Sequence, residues 1–292
     1  NTHLSRPFEA RFCGTATTTV PAFLPPHCCP LRQPADSVAA RLARRFLNCA
    51  SMPSSLPQLI LLPGLAGNAD LWRDTLAVLP AKWRTAVTTA HQRFASLPEM
   101  ARALLADHPG DLVLCGTSMG GMLALEVWRQ APERIRGLAL LGSSARPDTP
   151  ALVKLRENAI QRFEQGDLRE LISANVPFAF DECRAGDAKL ATRYVDQVVA
   201  EGAEQLIRQN RAIMARVDSR PDLAHIQCPT LILCGSNDQL TPLEHSQEMA
   251  RGISHAQLHV LPRCGHMLTL EQPMQVSGLL LEWLKRLEKE LD

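Results

Sequence analysis

Residue type and spacing point most directly to chemistry in the segment Gly116-Thr117-Ser118-Met119-Gly120-Gly121. A serine hydroxyl attacks a carbonyl carbon only when it is exposed, oriented and relieved of its proton by a neighbouring base. The G-x-S-x-G spacing supplies the orientation. A tight strand-to-helix turn lifts the serine, and Gly116 and Gly120 leave room where a Cβ would clash. The turn also aims the N-terminus of the next helix at the reaction centre, where free N–H groups favour developing negative charge. Context matters for so short a pattern: Leu112-Val113-Leu114 reads as a strand before it, and Met119 to Gln130 reads as a helix after it. The plainer reading is a glycine-rich turn with an incidental serine, or a phosphate-cradling loop. Neither a G-x-G-x-x-G spacing nor a Walker lysine supports the phosphate version.

A base must come from the nine histidines. His266 stands in Cys264-Gly265-His266-Met267, after the strand-like Gln257–Leu261 and before the last helix. A loop at the carboxyl end of a parallel strand is where such sheets carry their reactive groups. His91, His108, His225, His245 and His255 read as surface or loop residues, and His259 as one within the late strand that could be a core histidine. Asp238, in Gly235-Ser236-Asn237-Asp238 just past the strand Thr230–Cys234, is the acid expected to orient the imidazole. Its plainer role is an Asx turn. Asp148, after the strand ending at Leu141, is the second candidate acid. The chain order Ser118, Asp238, His266 is that of a nucleophile-elbow hydrolase. Acyl transfer also needs donors for the tetrahedral oxyanion. Those expected are the backbone N–H of Met119 and that of Leu65, in the loop Pro63-Gly64-Leu65-Ala66-Gly67 where Gly64 permits close approach.

The elements that must position these groups alternate. Leu59-Ile60-Leu61-Leu62, Thr85–Thr89, Leu112–Gly116 and Gly137–Leu141 read as strands; Asp70–Leu79, Leu97–Asp107 and Met119–Gln130 read as helices. Alternation of this kind implies right-handed crossovers and a mostly parallel, doubly wound α/β sheet. It stops between 150 and 218, which contains only helical segments: Ala151–Gln165, Leu168–Asn175, Ala188–Glu201 and Glu204–Ala215. That stretch is expected to be a helical lid inserted after the fourth strand, between core segments 56–149 and 219–292. Strand Thr230–Cys234, helix Leu243–Arg251, strand Gln257–Leu261 and helix Pro273–Glu290 complete the reading.

Composition narrows the function classes. Thirty-one basic against 30 acidic residues leave a formal net charge of +1. No basic field is available for nucleic acid or an anionic membrane surface. Aromatics are only 4%, with a single tyrosine, Tyr194, so base-stacking platforms are not expected. Nine cysteines follow no metal-ligand spacing, and Cys115, Cys228 and Cys234 sit in apolar runs as small hydrophobes. The chain reads as reduced and cytoplasmic, and its cysteines point to no metal site. No apolar run approaches the roughly 18 residues a membrane-spanning helix needs.

Residues 1–55 have a different character. Prolines at 7, 21, 25, 26, 30 and 34 break any hydrophobic period, and Thr15 to Thr19 is nearly a threonine tract. Only Ser37–Leu47 reads as a short, arginine-rich helix. A transit segment, a disordered tail, and upstream sequence ahead of a start at Met52 are the three readings.

With its elbow, its ordered acid and base and its helical insertion, the chain from about Leu56 to Leu291 resembles the α/β-hydrolase superfamily. Within it, the chain is similar to small cofactor-free carboxylesterases such as the pimeloyl-carrier-protein methyl ester esterases. The resemblance implies a Ser-His-Asp triad at Ser118, His266 and Asp238, an acyl-enzyme intermediate and a small or medium ester substrate. Two departures stand out. Many members carry His-Gly where this chain has Pro63-Gly64, and two strands usual before Leu59 in larger members are not evident. Lid phenylalanines Phe163, Phe178 and Phe180 suggest an apolar acyl pocket. The alternative chemistry is carbon–carbon hydrolysis or elimination with the same triad. Dehalogenases and epoxide hydrolases would need a carboxylate where Ser118 stands, and a non-catalytic binding protein would be expected to have lost a triad member.

Overall fold

The computed structural model describes residues 56–291. The readings made for residues 1–55, including the helix Ser37–Leu47, lie outside the described residues. Six strands form one sheet in the order β2-β1-β3-β4-β5-β6: β1 Gln58–Leu62, β2 Thr85–Val87, β3 Leu112–Thr117, β4 Ile135–Leu141, β5 Thr230–Gly235 and β6 Ala256–Leu261. Every adjacent pair is parallel. The runs Leu59-Ile60-Leu61-Leu62 and Leu112-Val113-Leu114-Cys115 do not alternate in polarity because both sheet faces are covered. Leu59, Leu61, Val113 and Cys115 face one apolar layer that includes Trp283, Leu284 and Leu287 of the C-terminal helix α8, Pro273–Leu291. Ile60, Leu62, Leu112 and Leu114 face the other, with side chains of α1, Leu97–Asp107, and α2, Met119–Gln130.

From β1 the chain moves outward to β2 and then crosses back to β3 on the other side. The β1 and β3 carboxyl ends therefore flank a topological switch point, where open α/β sheets form their crevice.

Between β4 and β5 the chain is helical: α3 Pro150–Glu164, α4 Leu168–Ala179, a short turn Glu182–Ala185, α5 Ala188–Glu201 and α6 Ala203–Met214. The Ser219 N–H donates to the Ala145 carbonyl at 2.8 Å, so the insertion leaves and rejoins the sheet at one point. Helix α4 runs past the expected end at Asn175 to Ala179, with Pro177 accommodated in its last turn. The stretch expected as one helix over Asp70–Leu79 is instead a 3-10 turn, Ala69–Trp72, followed by a single α-turn, Arg73–Leu76. Trp72 is fully buried there, and its packing takes precedence over helical continuity. Helix α7, Leu243–Gly252, joins β5 to β6. Among the described residues no helix is long and apolar enough to cross a membrane.

Candidate active site

Ser118 ends β3 and begins α2 with φ +52° and ψ −118°, a conformation uncommon for a residue with a side chain. Neighbours hold it there. The Ser118 N–H donates to Leu141 O at 2.8 Å, and the Ser143 hydroxyl donates to Ser118 O at 2.8 Å. The turn is crowded as the elbow spacing requires. A Cβ on Gly120 would lie 2.0 Å from Leu62 O, and one on Gly116 would lie 2.3 Å from the Gly120 carbonyl carbon.

His266 and Asp238 come to this turn from the next loops of the sheet. His266 Nε2 lies 2.9 Å from Ser118 Oγ, and its Nδ1 lies 2.9 and 3.0 Å from the two Asp238 oxygens. Both side chains are buried. Asp238 also accepts from the N–H groups of Leu240 and Thr241 and from the Thr241 hydroxyl. It is thus both a turn residue and a histidine partner. Burial alone would lower the His266 pKa, but the Asp238 charge and hydrogen bond outweigh it and hold the imidazole above its ordinary value. Burial would likewise raise Asp238, yet the His266 charge and the donors around it keep the carboxyl below the usual carboxylate range. The tautomer that donates from Nδ1 leaves Nε2 free to accept the serine proton. Asp148, the other candidate acid, is elsewhere: its carboxylate pairs with Arg156 at 2.6 Å and Arg216 at 2.8 Å, not with His266.

The loop after β1 approaches the elbow closely, since a Cβ on Gly64 would come within 3.2 Å of Ser118 Cβ. Neither the Leu65 nor the Met119 N–H donates to a protein group among the described residues. Both are backbone donors left unspent close to the Ser118 hydroxyl. Ser118 and His266 open on a cavity of about 610 Å³ that also borders Leu65, Leu71, Phe163 and Leu206. Phe178 lines it too, whereas Phe180 is buried against Tyr194 with ring centroids 5.3 Å apart.

A model of the alpha/beta hydrolase family matches residues 59–278. The chain belongs to that family. Among relatives, a pimeloyl-[acyl-carrier protein] methyl ester esterase of Aromatoleum aromaticum is 27% identical over 248 residues, covering 77% of this chain and 96% of its own. A 2-hydroxy-6-oxo-6-phenylhexa-2,4-dienoate hydrolase of Comamonas testosteroni is 28% identical over 183 residues, covering 59% of this chain and 62% of its own. Among solved structures, a thermophilic esterase from Thermogutta terrifontis superposes with a TM-score of 0.72 at 25% identity, over 80% of this chain and 91% of that one.

Several residues that shape the site of this hydrolase were not legible as such. His91, expected as a surface or loop residue, is buried in the short helical turn Ala90–Arg93, and its Nε2 lies 2.9 Å from Gly67 O. Burial lowers its pKa. Gln209 of α6 accepts the Ala66 N–H at 2.7 Å and donates to His91 O at 3.0 Å. Together they brace the Gly64–Gly67 loop, where Ala66 has φ +51°.

Glu271 does the same for the histidine loop. Its buried carboxylate accepts the N–H groups of Gly265 and Met267, on either side of His266, and that of Asp181 from the helical insertion. Burial pushes the Glu271 pKa above the usual range against those three donors. Asp181 in turn accepts from Asn237 Nδ2 at 2.6 Å, next to Asp238. The His266 N–H itself donates to Ala179 O at 2.9 Å. One segment of the insertion, Ala179 to Asp181, therefore ties both loops. The only sequence signal was an acid within the apolar turn Leu268–Glu271.

Proposed function

We propose that this hydrolase cleaves carboxylic esters of small or medium acyl groups, with Ser118 as nucleophile, His266 as general base and acid, and Asp238 orienting the imidazole. The hydrogen-bonded chain from Ser118 Oγ through His266 to Asp238, opening on a largely apolar cavity, carries the reading. His266 Nε2 takes the serine proton as Oγ attacks the ester carbonyl. Asp238 offsets the charge of the imidazolium. The Leu65 and Met119 N–H groups receive the oxyanion. His266 then gives its proton to the departing alkoxide, leaving Ser118 acylated and an alcohol released. Water, deprotonated by His266, attacks the acyl carbon and frees the acid. Residues 150–218 act as the lid that shapes the acyl pocket. The five unpaired thiols among the described residues (Cys115, Cys183, Cys228, Cys234, Cys264) fit a reducing, cytoplasmic setting.

A fluorophosphonate probe tests the nucleophile. Labelling is expected in the wild type and absent in S118A, and a folded wild type that takes no label would sink the proposal. A p-nitrophenyl ester chain-length series beside a panel of methyl esters tests the substrate class. The similarity to the Comamonas testosteroni carbon–carbon hydrolase supports a second reading. Turnover of β-diketone-like substrates with none of esters would favour it.

A further inference from the structure

Among the described residues, Arg156 is the only Asp, Glu, Lys or Arg side chain lining the cavity above Ser118. It reaches in from α3, with its Nε on Asp148 at 2.6 Å and its Nη1 on the Asn210 carbonyl oxygen at 2.9 Å. Nη2 donates to no protein group among the described residues, although it is not sealed off from open space. The charge balance around it is uneven. Asp148 has a side chain only 1% exposed, and Arg216 shares it through its own contact at 2.8 Å. Arg216 is itself 7% exposed, so one buried carboxylate serves two guanidinium groups. One positive charge is left over at the wall of a mostly apolar chamber, where an unmatched ion is costly. That charge is close enough to His266 to oppose protonation of its ring.

We propose that Arg156 is a specificity-determining residue that receives an ionised carboxylate on the substrate, remote from the ester that Ser118 attacks. The preferred substrates are then monoesters of dicarboxylic acids, or esters bearing a comparable anionic end. Nε and Nη1 are engaged, so the free Nη2 edge suits one carboxylate bound end-on rather than a broad polyanion. Asp148 and Asn210 fix the guanidinium before the ligand arrives, which spares it the loss of side-chain freedom on binding. Leu155, Phe163 and Ile213 border the same cavity and would hold the methylene chain between the two ends.

The inference rests on the ester-hydrolase reading, and a binding experiment separates the two. In the S118A protein, affinity is measured by calorimetry for monomethyl esters of straight dicarboxylic acids and for methyl alkanoates of matched length. The anionic series is expected to bind roughly 10- to 100-fold tighter at its best length, as a charge-assisted contact in a poorly solvated site would give. The preference should weaken with added salt. Adding R156Q should erase it, whereas R211Q, an exposed change on α6, should leave it intact. Equal binding of the two series, or a preference that survives R156Q, overturns the proposal. If R156Q does not melt cooperatively, R156K decides: a retained charge without the fork should lower the preference without abolishing it, and no change would overturn the proposal. None of these outcomes requires turnover, so loss of the ester reading would show separately, in the probe labelling and the kinetics.

Discussion

Replacing Glu271 by glutamine tests whether the loop carrying His266 is held by one buried carboxylate. In the wild type, Oε1 accepts from Met267 N, Oε2 from Asp181 N, and Gly265 N lies 3.0 Å from both. An amide keeps one oxygen and turns the other into a donor facing a donor. If the –NH2 replaces Oε2, the Asp181 N–H is orphaned and the insertion loses its tie. If it replaces Oε1, the Met267 N–H meets a donor and keeps only its 3.2 Å contact with Ala179 O, beside the His266 imidazole. Either way a buried donor, the Asp181 N–H or the new amide –NH2, goes unmatched, at a cost of about 1–3 kcal/mol. Burial already penalises the Glu271 charge, so losing that charge offsets part of the cost. For a domain of this size the loss corresponds to a fall in Tm of roughly 2–12 °C. Activity is the sharper readout. A positional error of about 1 Å at Nε2 costs on the order of 10²-fold, so kcat in E271Q should fall roughly 10- to 100-fold while KM stays close to wild type. Steady-state kinetics on a p-nitrophenyl ester, with differential scanning calorimetry on the same preparations, reads both. Wild-type kcat in a folded E271Q protein would refute the idea that this carboxylate positions the base, and a rise in KM alone would assign it to the pocket.

The other expectations concern the triad and the elbow. D238N should lower kcat by roughly 10²- to 10⁴-fold, since the imidazole loses its orienting partner and the stabilisation of its cation. Because Asp238 holds the His266 pKa above the ordinary imidazole value, and only the neutral ring accepts the serine proton, kcat/KM should decline on the acid side with a midpoint above that value. In D238N the midpoint should move to lower pH, and an unmoved limb in a pH–rate profile would contradict the assignment. The signs for stability are opposite within the pair. The raised His266 pKa contributes stability that is present below the unfolded imidazole value and lost as pH rises through the folded one; the lowered Asp238 pKa contributes stability that is lost as pH falls through its folded value. G120A should destabilise by about 1–3 kcal/mol or more and lose activity, because the new Cβ meets the β1 backbone at 2.0 Å. G186A is its control: nothing lies within 4 Å and the backbone is already α-helical, so thermal melts should show it neutral or stabilised by up to about 1 kcal/mol.

Much of the fold was legible because parallel strands buried on both faces leave unbroken apolar runs. Leu59–Leu62 and Leu112–Cys115 could be read without knowing their partners, and α1 and α2 span Leu97–Asp107 and Met119–Gln130 as expected. Boundaries slipped where packing overrode local preference, as at Trp72 and Pro177. His91 was misread for the same reason. A short polar turn looks exposed until helix α6 covers it, and nothing in the residues near His91 announces Gln209, 118 positions away.

By itself the sequence determined the elements and the strand ends on which Ser118, Asp238 and His266 lie, because periodicity and glycine spacing are local properties of the chain. The family follows from the same local pattern over residues 59–278. What only the tertiary structure decided is how those ends meet: a 2.9 Å contact between residues 148 positions apart in the chain, the capture of Asp148 by two arginines, and the binding of the Asp238 and His266 loops to Ala179–Asp181 through Glu271 and Asn237. Distances between loops depend on how helices pack across the sheet, and charge balance in a cavity depends on which side chains that packing turns inward. Neither is written in any single stretch of residues.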